Sequence, residues 1–507
     1  AMLKGSRFHR KIQKQMGSTY QAEVPLKKES EYEDLILCVE GRADGIFTEN
    51  EAVCIDEIKG IYKSLDSLEG PVPIHRAQAL CYGWESHDLE RIDIQMTYGQ
   101  LDTEEIRRFR ETVTRGELEK WYQNLMDKYH KWASYQLAWR KERNASMETL
   151  EFPFPYRKGQ REMVAGVYHA ISEEEQIFIQ APTGIGKTMS AIFPAVRAVG
   201  QGNGETVFYL TARTITRTVA EDAFSILRGK GLHFKSITIT AKEKMCFCDE
   251  MDCDPQKCPY AKGHYDRIND AVYELWTKEE AFDRETILAQ AEKYSVCPFE
   301  MTLDLAVWMD GIVCDYNYVF DPNVYLKRFF GENIKGKYLF LIDEAHNLVD
   351  RGREMYSATL CKEEIESTRR FVRSHSNRLY RMLGKAAKQL EVLKEESSSS
   401  WQVLENAGTL PVALLSIQGE MDKLLEEPPS QEFVDGILEF YFAVRDFLNI
   451  AELVDENYVT YVSTDEDGKF RMKLFCVNPA ANLQRCLDRG VSTVRQHFCR
   501  LLTTGRC

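Results

Sequence analysis

The stretch IFIQAPTGIGKT, residues 177–188, decides the fold because an apolar run passes at once into a glycine-rich loop and then a helix-forming segment. Backbone N–H groups of such a loop can turn inward onto phosphate, and the following helix N-terminus adds positive potential. Gly184 and Gly186 allow the turn. Lys187 can reach β- and γ-phosphates, and Thr188 can ligate Mg²⁺. An ordinary glycine turn is the alternative, but the order strand, loop, helix favours a phosphate-binding loop.

A second signal, LFLIDEAH at residues 339–346, ends another apolar run with two carboxylates. Taken alone, an acidic pair at such a place is more often a cap or a solvated strand end. Because it follows a phosphate-binding loop in the same predicted parallel sheet, it favours metal and water chemistry instead. We predict that Asp343 holds Mg²⁺ through water and that Glu344 orients or deprotonates an attacking water.

The pair APTGIGKT and DEAH resembles the nucleic-acid helicases and translocases of superfamily 2. Gln160 lies where that superfamily places a glutamine that recognises adenine. The run FYLTART, residues 208–214, resembles the strand-end motif that touches the nucleic-acid backbone, which would make Thr211 and Arg213 DNA contacts. The resemblance implies ATP and Mg²⁺ as cofactors and single-stranded or forked DNA as the partner.

Cysteines cluster in MCFCDEMDCDPQKCPY, residues 245–260, whereas most of the others stand singly in apolar stretches. That distribution indicates a reducing compartment, so the cluster predicts a metal site rather than disulfides. Thiolates from a few close positions, plus one brought back by folding, suit either zinc or an iron–sulfur cluster. Such a set is offered by Cys246, Cys253, Cys258 and Cys297, with Cys248 left as a spare. Ligand chemistry alone does not separate the two metals.

The position of this cysteine-rich insert, between the phosphate-binding loop and DEAH, resembles the XPD/DinG branch of helicases. The insert ends in CPFE and is followed by DYNYVFDP. On that resemblance the insert binds a [4Fe–4S] cluster, the helical pattern over 355–455 corresponds to an Arch domain, and translocation runs 5′ to 3′. A zinc-stabilised, nucleic-acid-dependent ATPase of another superfamily 2 branch is the alternative.

The amino-terminal part carries a different constellation, GRADGIF followed by EAVCIDEIKG. A two-strand hairpin would bring Asp44 beside Glu57, and Lys59 would share a face with Glu57 because strand side chains alternate. Two carboxylates can bind Mg²⁺ or Mn²⁺, and a metal with a lysine can support phosphodiester hydrolysis. Taken alone, the pattern is weak, and a solvated hairpin is the simpler interpretation.

Three further residues make this part similar to the RecB-like branch of PD-(D/E)XK nucleases. His9 lies upstream in a helix-forming segment, and Gln78 and Tyr82 follow downstream in QALCY. The resemblance implies three metal ligands, one catalytic lysine, and two residues that support the site or contact DNA. In that order they are His9, Asp44 and Glu57, then Lys59, then Gln78 and Tyr82. A DNA-binding module with an inactive nuclease fold is the alternative.

Composition and pattern together predict a multidomain α/β protein in which a small restriction-endonuclease-like domain precedes a RecA-like domain with two inserts. The predicted ranges are 1–102 for the nuclease-like domain, 103–150 for a helical connector, 151–350 for the RecA-like domain with its cluster insert at 241–300, 351–477 for the helical Arch-like insert with a terminal hairpin, and 478–507 for a return to the RecA-like domain. A net charge of −14 argues against wholesale coating of nucleic acid. No apolar run reaches the roughly 18 residues of a membrane span, so we expect a cytoplasmic protein.

The carboxy-terminal residues depart from the superfamily 2 pattern. A motif beginning Ser-Ala-Thr is expected after NPAANLQRCLDRGVSTV, but the sequence reads RQHFCRLLTTGRC. One choice of codons for this segment, read one base out of phase, gives Ser-Ala-Thr-Phe-Leu-Pro. We therefore hypothesise a frameshift near Val494, a truncated product that does not unwind DNA, and an incomplete amino terminus. Sequencing the source DNA tests this, because a second frame without a RecA-like continuation would rule it out.

Overall fold

The computed structural model describes residues 2–498 except for a set of short gaps. These gaps are residues 34, 50–51, 62–63, 87–88, 102, 183, 213, 332–333, 398–399 and 427. The chain divides into two compact units. The first unit comprises residues 1–136 and 419–434, and the second comprises 137–418 and 435–507.

The first unit is built on a five-stranded sheet. Its elements are α1 (Met2–Gln15), β1 (Gln21–Tyr32), β2 (Leu35–Glu49), β3 (Ala52–Ile61), α2 (Pro73–Ser86), β4 (Arg91–Gln100) and β5 (Ile106–Thr114). The strands lie in chain order, with β3 and β4 parallel and the other neighbours antiparallel. Helix α2 is therefore the crossover that joins two parallel strands.

The two helices pack on opposite faces of this sheet. Ile55 of β3 lies in one core cluster with Leu80 of α2. Ile58, three residues later, packs instead with Phe8 and Ile12 of α1. Residues three apart on a strand point to opposite faces, so alternation along β3 sends one apolar residue to each helix.

Strand β5 replaces the beginning of the predicted helical connector, which had been placed at 103–150. Phe109, Glu111 and Val113 are more buried than the exposed residues between them, and this period of two is typical of a strand. Helix α3 (Arg115–Glu148) then follows. Its start is marked by a capping box, in which Thr114 N donates to Glu117 Oε2 at 2.9 Å and Glu117 N donates to Thr114 Oγ1 at 3.3 Å. The charged composition of the segment hid the strand.

The second unit contains the remaining elements. They are α4 (Gln160–Ser172), β6 (Gln176–Ala181), α5 (Lys187–Gly200), β7 (Thr206–Thr211), α6 (Thr214–Arg228), β8 (Ser236–Thr238), α7 (Lys242–Met245), α8 (His264–Lys278), β9 (Ala281–Phe282), α9 (Arg284–Tyr294), α10 (Pro298–Ala306), β10 (Gly311–Asp315), α11 (Asn317–Phe320), α12 (Lys327–Phe330), β11 (Tyr338–Ile342), α13 (Asn347–Met355), β12 (Ala358–Cys361), α14 (Lys362–Phe371), α15 (Asn377–Glu396), β13 (Trp401–Leu404), α16 (Leu410–Glu426), α17 (Gln431–Ala451), β14 (Tyr458–Thr464), β15 (Phe470–Cys476), α18 (Ala480–Leu487) and β16 (Ser492–Phe498). Residues 419–434, which include the end of α16 and the beginning of α17, belong to the first unit.

A seven-stranded parallel sheet forms the centre of the second unit, in the order β6-β16-β11-β7-β10-β8-β9. Its middle strands read as nearly continuous apolar runs because both faces are covered. Ile192 and Val196 of α5 share a core cluster with Val207 of β7 and Leu341 of β11. The prediction of an α/β fold with a parallel sheet is confirmed, and β6 and β11 end at the same edge of it.

Two further segments leave this sheet. Residues 246–263 of the predicted cysteine insert contain neither helix nor strand. After α13, helices accompany a small antiparallel sheet in the order β12-β15-β14-β13. The predicted hairpin at 458–477 is confirmed as β14 and β15. The sequence did not reveal β12 and β13, since four residues are too few to show a period.

Membrane-spanning character is absent from the helices of the described ranges, none of which is both long and apolar enough to cross a bilayer. Of the predicted aberrant terminus, residues 499–507 lie outside the described residues.

Candidate functional site

The loop after β6 has the backbone that its glycines were predicted to allow. Gly184 and Gly186 both have a φ of +82°, in the left-handed region that favours glycine. A Cβ at Gly186 would lie 2.7 Å from Nε2 of Gln160, so a larger residue would collide there. Helix α5 begins at Lys187, so its first N–H groups end at this loop.

The second unit brings the two predicted motifs together. Lys187 Nζ lies 3.7 Å from Oε1 of Glu344. The hydroxyl oxygen of Tyr209 lies 3.3 Å from Thr188 Oγ1, and the hydroxyl also hydrogen-bonds the Asp343 carboxylate. Groups that follow β6 and β11 therefore meet in one site, with a β7 tyrosine between Thr188 and Asp343.

Asp343 is a buried carboxylate at the end of β11, only 6% exposed. Burial, and then the charge of Glu344, raise its pKa, while the ammonium of Lys187 and the hydrogen bond from Tyr209 act in the opposite direction. A carboxylate whose charge is costly to hold suits a divalent cation, because the cation's charge offsets the lost hydration. Glu344 itself lies between Lys187 and His346, whose Nδ1 is 3.4 Å from Glu344 Oε2.

Two predicted contact residues are less open than expected. Gln160 is 4% exposed, and its Oε1 accepts from Arg157 N at 3.0 Å, so it packs behind the loop. Thr211 is 1% exposed and hydrogen-bonded to Thr216, because β7 lies in the middle of the sheet. A direct DNA contact through Thr211 is not available in this conformation. Arg213 lies outside the described residues.

The cysteines of the insert lie near one another in two groups. Cys248 Sγ is 4.0 Å from Cys258 Sγ, and partial burial with the thiols of Cys258 and Cys246 raises the pKa of Cys248 to about 11. The hydrogen bond between Lys242 and Cys253 raises the pKa of Lys242, and Cys297 contributes to the same shift. Cys248, predicted to be the spare thiol, therefore lies inside the group of thiols rather than apart from it.

Cys297 is placed at the N-terminus of α10, where it is the capping residue. Its backbone N–H donates to Nδ1 of His264 at 3.2 Å. This hydrogen bond holds the backbone at Cys297 against the beginning of α8. Burial raises the pKa of Cys297, while the N–H groups of Glu300 and Phe299 act to lower it. The donor set is chemically suited to a metal, but in the described part of the chain no three His, Cys, Asp or Glu side chains are gathered as a metal site.

In the first unit the predicted hairpin brings Asp44 and Glu57 side by side, since the β2–β3 register pairs Gly45 with Asp56. Asp44 Oδ2 accepts from Ile58 N at 2.7 Å. Its other oxygen lies 3.8 Å from Nδ1 of His9, which reaches across from α1. The structure thus places His9 beside Asp44 and Asp44 beside Glu57, but among the described residues of this unit no three such side chains are gathered as a metal site.

Glu57 holds the least satisfied carboxylate of this neighbourhood. It is 1% exposed, and Oε1 accepts from Lys59 Nζ at 2.6 Å. Oε2 is buried without a hydrogen-bond partner among the described residues. Burial, followed by the charge of Asp44, raises the pKa of Glu57 to about 7 despite the opposing effect of Lys59. A buried polar atom without a partner is costly, and a bound cation would remove that cost.

The adjacent carboxylate, Asp56, is by contrast fully engaged. It is 0% exposed and accepts from Tyr20 OH at 3.1 Å, Gln95 Nε2 at 3.0 Å and Thr97 Oγ1 at 2.5 Å. These contacts make Asp56 a structural residue. The two neighbouring acids therefore differ, because Asp56 is hydrogen-bonded at both oxygens whereas Glu57 Oε2 has no partner in the described chain.

The two residues predicted to support the site or contact DNA are found behind Lys59. Gln78 Oε1 accepts from Lys59 Nζ at 3.4 Å, and Gln78 Nε2 donates to Tyr82 OH at 3.0 Å. Both lie on α2, one helical turn apart, and Tyr82 is 9% exposed. This geometry favours a supporting role in which α2 holds the lysine toward Glu57.

The sequence did not point to two buried tyrosines of the second unit. Tyr209 lies between Thr188 and Asp343, and the hydroxyl of Tyr316 donates to the backbone at Asp343 and Glu344. Both residues belong to apolar text, where a tyrosine is typical of a core. Their hydroxyl contacts become visible only when β7, β10 and β11 lie side by side in the folded sheet.

Two protein-family models match residues of the second unit. Residues 157–278 match the DEAD/DEAH box helicase family model, and residues 233–365 match the DEAD_2 model. Regulator of telomere elongation helicase 1 of Bos taurus is 22% identical over 327 residues, which are 54% of this chain and 26% of the relative. The Fanconi anemia group J protein homolog of Gallus gallus is 32% identical over 90 residues, 18% of this chain and 7% of the relative.

Within residues 157–365 this chain is therefore similar to DEAD/DEAH box helicases. This chain spans about a quarter or less of the length of these two curated relatives. Solved structures similar to this chain include one titled XPD_Helicase, with a TM-score of 0.43 and 17% identity over 68% of this chain and 58% of the other. Another, titled Truncated XPD, has a TM-score of 0.43 and 17% identity over 66% of this chain and 91% of the other.

Proposed function

We propose that the chain is part of an ATP-dependent DNA helicase of the XPD type, which moves 5′ to 3′ on single-stranded DNA. The observation that carries this proposal is the meeting of Lys187, Thr188, Asp343 and Glu344 at one edge of the parallel sheet. Lys187 would neutralise the β- and γ-phosphates of ATP, and Thr188 and Asp343 would hold Mg²⁺. Glu344 would accept a proton from the attacking water. Gln160 would recognise adenine from its position behind the loop.

Nucleotide binding tests this site directly. We expect the chain to bind a non-hydrolysable ATP analogue in the presence of Mg²⁺, and Lys187→Ala to weaken that binding by about tenfold or more, because a charge-assisted contact is lost. The measurement is a fluorescence titration with the labelled analogue. Lys278→Ala is the matched control, since that lysine is 65% exposed and pairs with Glu274. Equal affinity of Lys187→Ala and the parent chain would contradict the proposal.

We further propose that the cysteine insert holds a [4Fe–4S] cluster through Cys246, Cys253, Cys258 and Cys297. The support is chemical, because five cysteines lie in one part of the chain. Sγ of Cys258 lies 4.0 Å from Sγ of Cys248, which is outside the proposed ligand set. A bound cluster would supply a rigid centre for a segment that lacks regular structure. The chain's own contribution is to hold Cys297 at the start of α10 through the contact with His264.

Metal analysis separates the cluster from zinc. Protein purified without oxygen should be brown and contain about four irons per chain, and Cys258→Ser should lose both the colour and the iron. Cys38→Ser, which changes an exposed cysteine of the first unit, should keep them. A colourless protein with one zinc would contradict the cluster and favour a zinc-stabilised ATPase of another branch.

For the first unit we propose metal-dependent hydrolysis of DNA. The buried Oε2 of Glu57, which lacks a hydrogen-bond partner in the described chain, is the observation that favours it over a binding-only module. Mg²⁺ or Mn²⁺ held by Asp44, Glu57 and His9 would polarise a phosphodiester. Lys59 would help to orient the attacking water and stabilise developing negative charge. Gln78 would hold the Lys59 ammonium in place, and Tyr82 would support Gln78.

Cleavage of single-stranded DNA in Mn²⁺ tests this unit. We expect Asp44→Asn and Lys59→Ala to lower the rate by about 100-fold or more, the scale of a lost acid–base or metal-site group. Lys27→Ala is the control, because its amine is 58% exposed and pairs with Glu29. The Mn²⁺ concentration for half-maximal cleavage should fall as pH rises from about 6 to 8, because Glu57, with a pKa of about 7, loses its competing proton. Absence of cleavage by the parent chain across this range would support a DNA-binding module instead.

A further inference from the structure

We propose that Tyr316 is a positioning residue for the Asp343–Glu344 pair, which it serves by holding the backbone that aims the Glu344 carboxylate. This inference rests on the proposed ATP site. Tyr316 follows β10 and is 0% exposed. Its hydroxyl donates to the carbonyl of Asp343 and lies 3.2 Å from the carbonyl of Glu344. No motif of the sequence assigns such a role to this tyrosine.

The backbone at Glu344 needs such support. Its φ is +50°, a left-handed conformation that residues other than glycine rarely adopt. Asp343 N still donates to Leu210 O at 2.9 Å, so the chain belongs to the sheet up to that residue. At Glu344 it turns away, and Asn347 N donates to Glu344 O at 2.9 Å. A strained residue persists only where its surroundings hold it, and Tyr316 contacts the peptides on both sides of this turn.

Tyr316 is itself held on both sides along the chain. Asp315 lies 3.7 Å from Arg217 of α6 and 3.3 Å from Arg351 of α13. Asn317 N donates to Asp315 Oδ1 at 3.0 Å, and Asn317 Oδ1 accepts from Arg351 at 2.8 Å. The hydroxyl of Tyr316 is therefore presented from a fixed backbone.

The phenol of Tyr316 donates its proton to the carbonyl of Asp343, and the carbonyl of Glu344 lies 3.2 Å from the same oxygen. Removing only the hydroxyl tests this role, because the ring that fills the core remains.

Hydrogen exchange measured by mass spectrometry on the full chain gives a local test. Tyr316→Phe should speed exchange in peptides covering residues 343–347 by about tenfold, the effect expected for one buried hydrogen bond. Peptides of β7 should exchange as in the parent chain. Tyr318→Phe is the matched control and should leave residues 343–347 unchanged. Parent-like exchange in Tyr316→Phe would mean that the tyrosine only fills space, and the proposal would fail.

Double variants that combine Tyr316→Phe with a change at Glu344 test whether the tyrosine hydroxyl acts through the strained residue. Glu344→Gly removes the strain, so adding Tyr316→Phe should then change exchange less than about twofold. Glu344→Gln keeps the strain, and adding Tyr316→Phe should retain the full effect. Equal effects in both backgrounds would overturn the link to Glu344.

Nucleotide binding supplies a readout at the site itself. Tyr316→Phe should weaken binding of the ATP analogue several-fold in Mg²⁺ and leave binding in EDTA unchanged, because the hydroxyl orients the carboxylates rather than the loop. A parent chain that binds no analogue would remove the proposed function, yet the exchange test of Tyr316 would still stand. Equal weakening in Mg²⁺ and EDTA would contradict a specific action on the carboxylate pair.

Discussion

Each unit buries a carboxylate next to a lysine, and the candidate site of each unit depends on this interaction. Asp343 is 6% exposed and Glu57 is 1% exposed, and burying a charge is costly unless it is paired. Each unit supplies one ammonium close to its acids, Lys187 at 3.7 Å from Glu344 and Lys59 at 2.6 Å from Glu57. Burial, followed by the charge of the neighbouring carboxylate, raises the pKa values of Asp343 and Glu57 although a lysine lies beside each pair of acids. A divalent cation would complete the charge balance in both units.

The two folds reach this arrangement by different routes. In the second unit, β6 and β11 are separated by β16, and a parallel sheet brings the ends of all three to one edge. Lys187 and Asp343 thus meet although 155 residues lie between them in the sequence. In the first unit the acids meet through a local hairpin register, and α2 returns to hold Lys59. Long-range topology makes one site, and pairing of neighbouring strands makes the other.

Local chemistry made part of this predictable. The glycine turn before Lys187 and the spacing of Asp44 from Glu57 each follow from short-range rules, and the structure has both geometries. Strand β5 was missed because its arginine-rich text hides a period of two. Thr211 was predicted to contact DNA but is buried, because its position in the sheet order cannot be read from its own motif. Tyr316 could not be found from the sequence either, because its role depends on contact with β11.

Titration of the full chain with Mn²⁺, followed by electron paramagnetic resonance with and without an ATP analogue, tests the shared constraint most directly. We predict two separable Mn²⁺ sites. One binds Mn²⁺ without nucleotide and is lost in Glu57→Gln, and the other requires the analogue and is lost in Asp343→Asn. If neither substitution changes Mn²⁺ binding, the buried carboxylates are not metal sites, and the account is contradicted.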